Sequence, residues 1–444
     1  MRKFTIVAAL VLACAGAWAQ DDGGLDFQAG ITLGTDVIID AYGNPQTWNS
    51  LGFQPDLSLG NFGVGFDLTM RFKLAPTSGT AMEIYPGDWV PDYEGSGRSF
   101  LDLYLPKIMY VRYGQRGDPL YAKLGSIDDL TLGTGFIVGD YANTRFLPDL
   151  RIFGLQLNLD GSLFDFPYIG VELLTGNLAR MDVLGGRLYV RPLAGTEIPL
   201  LSKLQIGGTA AADFQPELYV DTPLGNDPVA MFGADLYLPL IEGDAFPLAV
   251  FTELAFQPQS RTGYMLGAAG RLIGIITYGA QLRFLSPGFI PTYFDANYDI
   301  YRAVKSDVME SAPSGDPFAG WMAKAGASFL EDKIFFDVTV DGPFAANPVV
   351  PTDNPAEYPH LRGVAGIGEG ILGGFFFDFA YDKYFLGKEG TFFSELVDPT
   401  NAIITAAVNF KTGAAVFTLL YNLTYNPEDG DFDVTSSLQS SIKF

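Results

Sequence analysis

Apolar residues alternate with polar or small residues along most of this chain, and this period of two limits its fold more than any other feature. Across 61–73 every even position is apolar, as at Phe62 and Leu68, and every odd position is polar or small. Successive side chains of a β-strand point to opposite faces, so the segment predicts a strand with one apolar and one polar face. The same division recurs in 153–160, 168–173, 232–238, 334–341 and 415–424.

The length of these segments indicates what the apolar faces contact. They number about 18 to 20 and run for roughly nine to thirteen residues, enough for a tilted strand to cross a bilayer. Strands of soluble proteins most often have about five or six residues. We therefore expect an all-β fold, a closed antiparallel transmembrane β-barrel of about 18 strands (range about 16–20). A large soluble β-sandwich or β-helix is the alternative, and no helical periodicity is convincing.

Composition agrees with strands that face lipid on one side and water on the other. The chain is 48% hydrophobic and 18% charged, yet polar residues interrupt every apolar run after the N-terminus. The 51 acidic residues outnumber the 27 basic ones, which gives a net charge of −24. Nucleic-acid binding needs a basic face, so we expect no nucleic-acid partner.

The N-terminus predicts export. Arg2 and Lys3 precede an apolar run, and Ala17-Trp18-Ala19 supplies a small-x-small cleavage site. This pattern predicts a cleaved signal peptide over 1–19, with 20–444 as a single domain. Cys14, the one cysteine, is also compatible with a lipidated N-terminus. If it leaves with the signal peptide, disulfides and cysteine metal sites are excluded.

The connections between the predicted strands are unequal. Short turns such as Gly60-Asn61 alternate with long stretches rich in Pro and Asp. These long stretches cover roughly 75–102, 127–149, 287–315, 342–360 and 386–400. We expect the short turns on the periplasmic side and the long loops on the extracellular side.

The last segment ends in Phe444, with Ile442 two residues before it and Leu438 six residues before it. This arrangement resembles the insertion signal of bacterial outer-membrane β-barrels. The resemblance implies that the barrel-assembly machinery and periplasmic chaperones act on the chain, and that outer-membrane lipid surrounds it. It also implies that the last strand pairs with the first, at about 25–34.

The layout of the whole mature chain is similar to that of porin-like proteins. The stretch 113–126 is also similar to uncharacterised outer-membrane proteins of spirochaetes, a likeness that brings no function. The unequal loops and the lack of a porin signature leave a solute-specific channel or a plugged barrel open. The porin resemblance implies a homotrimer as one oligomeric state, which the sequence does not decide.

Porins narrow their lumen with a long loop that folds inward, and 126–149 is the candidate for such a loop here. Its charged residues predict a pore constriction, since opposed carboxylates and guanidiniums set ion selectivity. An external loop that never enters the pore is the alternative. The candidate constriction residues are Asp128, Asp129, Asp140, Arg145 and Arg151.

Charged residues on the polar faces of the strands are predicted to point into the lumen, because a basic side chain facing lipid costs about 2–4 kcal/mol. The excess of carboxylates favours cations weakly over anions. The candidate lumen charges are Asp67, Arg71, Lys73, Lys123, Glu172, Arg187, Arg191, Asp235, Arg283, Asp337 and Asp378.

Catalytic and cofactor motifs are poor. His360 is the sole histidine and is predicted to lie in a solvated loop, which leaves no triad and no histidine metal site. The G-x-G-x-x-G match at 368–373 runs into a strand instead of a helix, so we reject a dinucleotide site. Asp295, Asn297 and Asp299 have part of a calcium-loop spacing, without its glycine and distal glutamate. We expect no enzyme activity, no cofactor and no metal.

The predicted function is therefore passive diffusion of small hydrophilic solutes, with a weak cation preference. About 18 strands leave room for an aqueous channel unless loops fill it. The alternatives are a surface adhesin or structural barrel whose loops block the lumen, and a transporter of hydrophobic compounds. The short stretch 20–24 argues against an N-terminal plug, and the lone histidine argues against an outer-membrane hydrolase.

Overall fold

The computed structural model describes most of the chain. The described ranges are 25–39, 45–74, 82–147, 150–198, 200–219, 225–243, 245–348, 352–413, 415–426 and 430–443. The predicted signal peptide, 1–19, and Phe444 of the predicted insertion signal lie outside these residues. Those two predictions remain untested.

The fold is an antiparallel β-sheet with short helices in its connections. Within the described ranges the sheet contains 22 strand segments. The strands are β1 Leu25–Ile39, β2 Pro45–Leu59, β3 Phe62–Phe66, β4 Leu68–Leu74, β5 Met82–Ile84, β6 Ile108–Tyr113, β7 Leu120–Gly125, β8 Gly154–Asp160, β9 Ile169–Thr175, β10 Val183–Val190, β11 Gln205–Asp213, β12 Val229–Ile241, β13 Leu248–Gln257, β14 Arg261–Leu272, β15 Ile276–Leu285, β16 Phe318–Phe329, β17 Ile334–Pro343, β18 His360–Leu372, β19 Phe375–Lys383, β20 Ala402–Thr412, β21 Ala415–Asn426 and β22 Asp431–Lys443. The helices are α1 Phe100–Tyr104, α2 Tyr298–Glu310 and α3 Phe392–Glu395, with 3₁₀ turns at Pro86–Asp88, Tyr93–Gly95, Leu105–Lys107, Gly161–Phe164, Leu201–Lys203 and Pro355–Glu357.

Two of the positions in the sheet are each shared by a pair of segments. β3 and β4 both pair with β2 and are separated at Asp67, where we expected one unbroken strand. β5 pairs with β4, and β6 pairs with β3. β5 and β6 therefore share one position in the sheet, and the residues between them, 85–107, leave the sheet and return to it. The 22 segments therefore fill two fewer positions, that is 20, at the upper end of the expected range.

The first and last strands meet over part of their length. β1 pairs with β2 over 15 residues and with β22 over four, from Gly30–Lys443 to Leu33–Ser440. Ile442, one residue of the predicted insertion signal, lies opposite Ile31 at this seam. Leu438 lies opposite Leu419 of β21. The pairing thus leads around the sheet and returns to β1 over these four residue pairs.

Side chains alternate between the two faces as the sequence pattern predicts. On β12, Phe232 and Leu236 are 59% and 44% exposed on the outer face, whereas Met231 and Asp235 are almost fully buried on the inner face. β13, β14 and β15 repeat this pattern with exposed Leu254, Leu266 and Leu282. The outer surface is therefore an extended apolar belt.

Strand length and helix content differ from what the sequence led us to expect. β6 to β9 have six or seven residues, not nine or more, because the chain leaves the wall there for long excursions. Helix α2 has 13 residues in a stretch where no helical periodicity was convincing. Among the described residues, no helix is long and apolar enough to cross a membrane.

Several of the shortest turns lie at one end of the barrel and several of the longest connections at the other, although 258–260 and 191–204 are exceptions. The turns 60–61, 273–275, 330–333 and 373–374 all lie at the end where the first strand begins. The long connections 126–153, 286–317, 344–359 and 384–401 all lie at the other end. We refer to them as the short-turn end and the long-loop end.

Candidate functional site

Two of the long connections fold into the barrel. We call 126–147 and 286–311 together the internal plug. Their apolar side chains are almost fully buried against one another, and the rings of Phe136 and Phe289 stack with centroids 5.4 Å apart. The remaining plug members of this core are Ile127, Leu130, Leu132, Ile137, Val138, Tyr141, Ile290, Tyr293, Phe294, Tyr298 and Met309.

The inner wall is apolar where the plug packs on it. The wall residues in the same core lie near the long-loop end of β9 to β15. They are Leu174, Val183, Ala211, Val229, Met231, Ala255, Met265 and Leu285. This patch departs from the polar inner face that a water-filled barrel has. Its presence means that the plug is a packed part of the fold.

Arg302 of α2 fastens the plug to the wall electrostatically. Its guanidinium donates to Asp213 at 2.6 Å and to Asp182 at 3.0 Å, and all three side chains are buried. Asp299 lies one helical turn earlier, 3.6 Å from the same guanidinium. Burial raises the pKa of Asp299 to about 7, since neither carboxylate oxygen has a hydrogen-bond partner among the described residues. Arg302 therefore supplies one positive charge that two wall carboxylates share, while Asp299 can hold a proton.

Hydrogen bonds from the wall hold the remainder of the plug. The Arg261 guanidinium of β14 donates to the carbonyls of Val308 and Ser311 at 2.7 and 2.6 Å, which caps the C-terminus of α2. Gln257 of β13 both donates to and accepts from the backbone of Ile290, at 2.6 and 3.0 Å. These contacts fix the plug by its backbone as well as by its apolar core.

The tip of the first plug segment reaches a charged cluster halfway down the wall. The Gly133 amide donates to Glu172 at 3.2 Å, and Thr134 donates to Glu253. Beside them, Arg187 and Asp235 form a buried ion pair at 2.6 Å. The tip therefore lies against inner-face charges and narrows the lumen at this height.

A polar cavity of about 230 Å³ remains between the plug and the opposite wall, β15 to β19. The plug contributes Asp140, Asp295 and Lys305 together with threonine hydroxyls. The wall contributes two carboxylates, three basic side chains and His360. The ammonium of Lys305 lies 2.7 Å from a carboxylate oxygen of Asp295. Burial lowers the pKa of Lys305. The cavity thus combines charged side chains with apolar ones in the space that the plug leaves beside this wall.

Across the cavity wall, charges of opposite sign alternate along a row of neighbouring strands. Arg283 of β15 contacts Asp341 of β17 at 2.7 Å, and Asp341 contacts His360 of β18 at 3.0 Å. His360 contacts Asp382 of β19 at 3.3 Å, and Asp382 contacts Arg362 at 2.5 Å. Each charge faces an opposite neighbour, which compensates for removing these groups from bulk water.

The expectation for His360 is wrong. It is the first residue of β18 and not part of a solvated loop, its side chain is largely buried, and its ring stacks on Tyr384 at 4.3 Å. Strand pairing places it directly opposite Asp341. Flanking prolines and aspartates suggested a loop because the strand begins immediately after them.

The five predicted constriction residues do not form one group. Asp128 pairs with Lys123 at 3.2 Å, and Asp129 pairs with Arg116 in a turn at the short-turn end. Asp140 lines the cavity, and Arg145 donates to the plug carbonyl of Ala296 at 2.7 Å. Arg151 pairs with Asp67 at 2.8 Å. The loop lies inside the barrel, but its charges are spread over three parts of the lumen.

Nine of the eleven predicted lumen charges lie on strands, while Asp67 lies between β3 and β4 and Arg191 follows β10. Most of the eleven form ion pairs. Arg187 and Asp235 pair with each other, with Glu172 beside Arg187 at 3.5 Å. The other contacts are Arg71 with Asp88, Lys73 with Gln46, Lys123 with Asp128, Arg191 with Asp160, Arg283 with Asp341, Asp67 with Arg151, and Asp337 with Lys324, while Asp378 lies over Gly366.

Several residues of the site were absent from the sequence predictions. Asp341 and Glu253 occupy the alternate strand positions that face inward, so the alternation could have identified them. Asp182 and Arg302 lie outside the strands, where no period assigns a face. The residues of the partial calcium-loop spacing have other contacts: Asp295 pairs with Lys305, and Asp299 lies beside Arg302. No cluster of three metal-binding side chains occurs in the described part of the chain.

Solved structures offer a distant likeness in overall shape. No protein family and no curated protein matches this chain. Wzi, an outer-membrane carbohydrate-binding β-barrel involved in group 1 capsule assembly in Escherichia coli, is 11% identical, with a TM-score of 0.36 over 99% of this chain and 88% of Wzi. OpdH (OccK5) of Pseudomonas aeruginosa is 10% identical, with a TM-score of 0.34 over 95% of this chain and 97% of OpdH. OpdK (OccK1) of the same bacterium is 10% identical, with a TM-score of 0.33 over 94% of this chain and 98% of OpdK. At these scores the likeness carries no argument about function.

Proposed function

We propose that this chain is a closed transmembrane β-barrel of a bacterial outer membrane that lets small hydrophilic solutes diffuse through a lumen narrowed by its internal plug. The apolar belt supports the membrane setting, since exposed Phe and Leu recur on the outer face of strand after strand. Monomeric soluble proteins rarely expose apolar patches of more than a few hundred Å². Export by a cleaved signal peptide and insertion by the barrel-assembly machinery, with periplasmic chaperones, belong to the same proposal.

The observation that carries the transport function is the polar cavity between the plug and β15 to β19. Its charged lining would be costly to bury in a wall whose only role was to enclose a packed core. Opposed charges in a narrow passage favour small polar solutes over apolar ones. The excess of carboxylates in the whole chain supports a weak preference for cations. The proposal includes no catalytic activity, no cofactor and no nucleic-acid partner.

A second candidate function is a surface or structural barrel whose lumen is blocked. The dry core that joins the plug to β9–β15 favours it, because a packed plug does not open without breaking those contacts. The two candidates agree on fold and membrane, and differ only in whether water and solutes pass the plug.

Single-channel conductance of the refolded protein in a planar bilayer separates the two functions. A channel gives stable open steps, and a salt gradient gives a reversal potential whose sign reports ion preference. Asp140→Asn should reduce the cation preference because Asp140 lines the cavity. Asp316→Asn, in an exposed loop segment, is the matched control and should change nothing.

A double variant with Asp128→Asn and Asp129→Asn tests the original constriction. Both carboxylates are more than half exposed and lie away from the cavity, so we expect a smaller change than in Asp140→Asn. A larger change would restore the predicted constriction. Folded barrel with no conductance at all would favour the blocked alternative.

A further inference from the structure

The cavity beside β15 to β19 has charged side chains of both signs, and most of them are already paired within the protein. Three ion pairs line the cavity: Arg283 with Asp341, Lys305 with Asp295, and Arg362 with Asp382. These pairs leave little charge for a solute. Any charge selectivity of the cavity must therefore come from the groups that remain.

Two lining residues of opposite charge, Asp140 and Lys324, have no ion-pair partner within hydrogen-bond distance among the described residues. Among the described residues, Asp140 makes no ion pair within 4 Å, and its carboxylate only approaches the Thr131 hydroxyl, at 3.5 Å. Within the described ranges, the one ion pair of Lys324 joins its ammonium to Asp337 at 3.9 Å, beyond hydrogen-bond distance. A carboxylate and an ammonium that lack a hydrogen-bonded ion pair among the described residues therefore line the same space of about 230 Å³.

The two groups are held at the cavity by different parts of the fold. Asp140 lies in the plug, where reciprocal hydrogen bonds between Leu130 and Tyr141, both 2.9 Å, fix the adjoining backbone. Its own backbone is left-handed at φ 55° and its amide donates to Thr131 at 3.0 Å. Lys324 lies on β16, directly opposite Thr339 of β17. The separation of the two charges is thus set by the docking of the plug.

We propose that this cavity binds a small zwitterion, an amino acid or a molecule of similar size whose ammonium faces Asp140 and whose carboxylate faces Lys324. The inference rests on the proposed function, since the solute reaches the cavity through the lumen. A molecule with one charge leaves either Asp140 or Lys324 unpaired, whereas a zwitterion pairs both. Threonine hydroxyls around the cavity accept or donate to the remaining polar atoms.

The test uses the whole refolded protein in detergent micelles and a ligand-detected NMR titration, which does not require conduction. The probes are alanine, propionate, ethylamine and glycerol, of which only alanine carries both charges. We expect alanine to bind at least about tenfold more tightly than the others, because each charged hydrogen bond lost has that effect. Lys324→Met and Asp140→Asn should each weaken alanine binding by a similar factor.

Matched controls separate the site from general changes in charge. Lys333→Met and Asp316→Asn alter exposed residues outside the cavity and should leave alanine binding unchanged. Lys324→Arg keeps the charge and should retain most of the binding, which guards against a variant that misfolds. Glycerol binding as tightly as alanine, or alanine binding unaffected by both cavity variants, would overturn the inference.

Conductance distinguishes this inference from the proposed function. A conducting channel that does not bind alanine overturns the zwitterion site and leaves the transport function standing. Alanine binding that follows the predicted variants in a barrel without conductance supports the site and refutes passive diffusion.

Discussion

Replacing Arg302 with methionine should release the internal plug from the barrel wall. The guanidinium is the positive charge that contacts both Asp182 and Asp213, at 3.0 and 2.6 Å. Methionine fills much of the same volume but leaves two wall carboxylates buried without that partner. The substitution therefore destabilises the docked state, in which Asp182 and Asp213 stay buried. It does not destabilise the undocked state, in which water solvates both carboxylates.

The size of the penalty follows from the burial of the three side chains, which are at most 2% exposed. Removing one partner of such a pair costs about 3–5 kcal/mol, and each 1.4 kcal/mol is a factor of ten. The ratio of undocked to docked plug should therefore rise by roughly two to three and a half powers of ten.

Limited proteolysis with trypsin measures this ratio. Lys305 is almost fully buried on the docked helix, so cleavage after it requires the plug to leave the wall. Mass spectrometry of the fragments identifies this cut in Arg302→Met, which keeps Lys305. The cleavage rate should rise steeply above wild type, and conductance should rise in the same variant if the plug narrows the lumen.

Arg271→Met is the matched control, because Arg271 pairs with Asp332 on the exposed surface at the short-turn end. Exposed pairs contribute at most about 1 kcal/mol, so we expect wild-type cleavage after Lys305. A triple variant with Arg302→Met, Asp182→Asn and Asp213→Asn should recover part of the protection. Wild-type protection of Lys305 in Arg302→Met would refute the reasoning.

Three further predictions concern the plug and the lipid face. Burial raises the pKa of Asp299 to about 7, so the stabilisation of the docked plug by its proton is complete below about pH 4 and is lost as the pH rises to about 7. With a protease active over that range, the ratio of wild-type to Asp299→Asn cleavage should increase with pH, and a constant ratio would count against this assignment. Phe289→Ala removes a fully buried ring stacked on Phe136, so it should weaken plug docking by about 3–5 kcal/mol, measured as faster cleavage after Lys305. Unchanged cleavage would show that the plug core repacks. Leu266→Arg puts a charge on the lipid face of β14 and should lower the free energy of unfolding in vesicles by about 2–4 kcal/mol, measured by denaturant titration. Thr405→Arg, on the inner face of β20, is its control, and equal losses in the two variants would argue against the assignment of faces.

Much of the barrel follows from the alternation alone. Because successive side chains of a strand take opposite faces, the period of two assigns Phe232 outward and Asp235 inward without any tertiary information. It also placed the predicted lumen charges on one face. Turn residues and loop lengths then separated the short-turn end from the long-loop end.

The alternation does not predict breaks within a strand or helices between strands. Asp67 keeps the period of two, so the sequence shows no sign that the strand divides there. The 13 residues of α2 are helical because they pack in the plug, with Arg261 capping the last turn from another strand. Arg261 lies 47 to 50 residues from the carbonyls that it caps, so a local sequence pattern cannot show this contact.

The contacts of the charged residues in the site could be predicted from the sequence even less than the strand breaks and helices. The sequence identified a charged loop and proposed that its charges meet, but each one found a different partner in the folded chain. Asp129 and Asp140 lie eleven residues apart in one loop, yet one pairs with Arg116 near the short-turn end and the other lines the cavity. Loop trajectory decides such contacts, and side-chain period carries no information about it.

The sequence by itself thus determined the class of fold, the faces of its strands and the sign of its net charge, because these depend on local spacing and on composition. Only the tertiary structure decided that the lumen holds a packed plug, that His360 is buried between two carboxylates, and that Asp140 and Lys324 share one cavity. Those features arise from contacts between residues far apart in the chain. Their free energies depend on burial and distance, which exist only once the barrel and its loops have packed together.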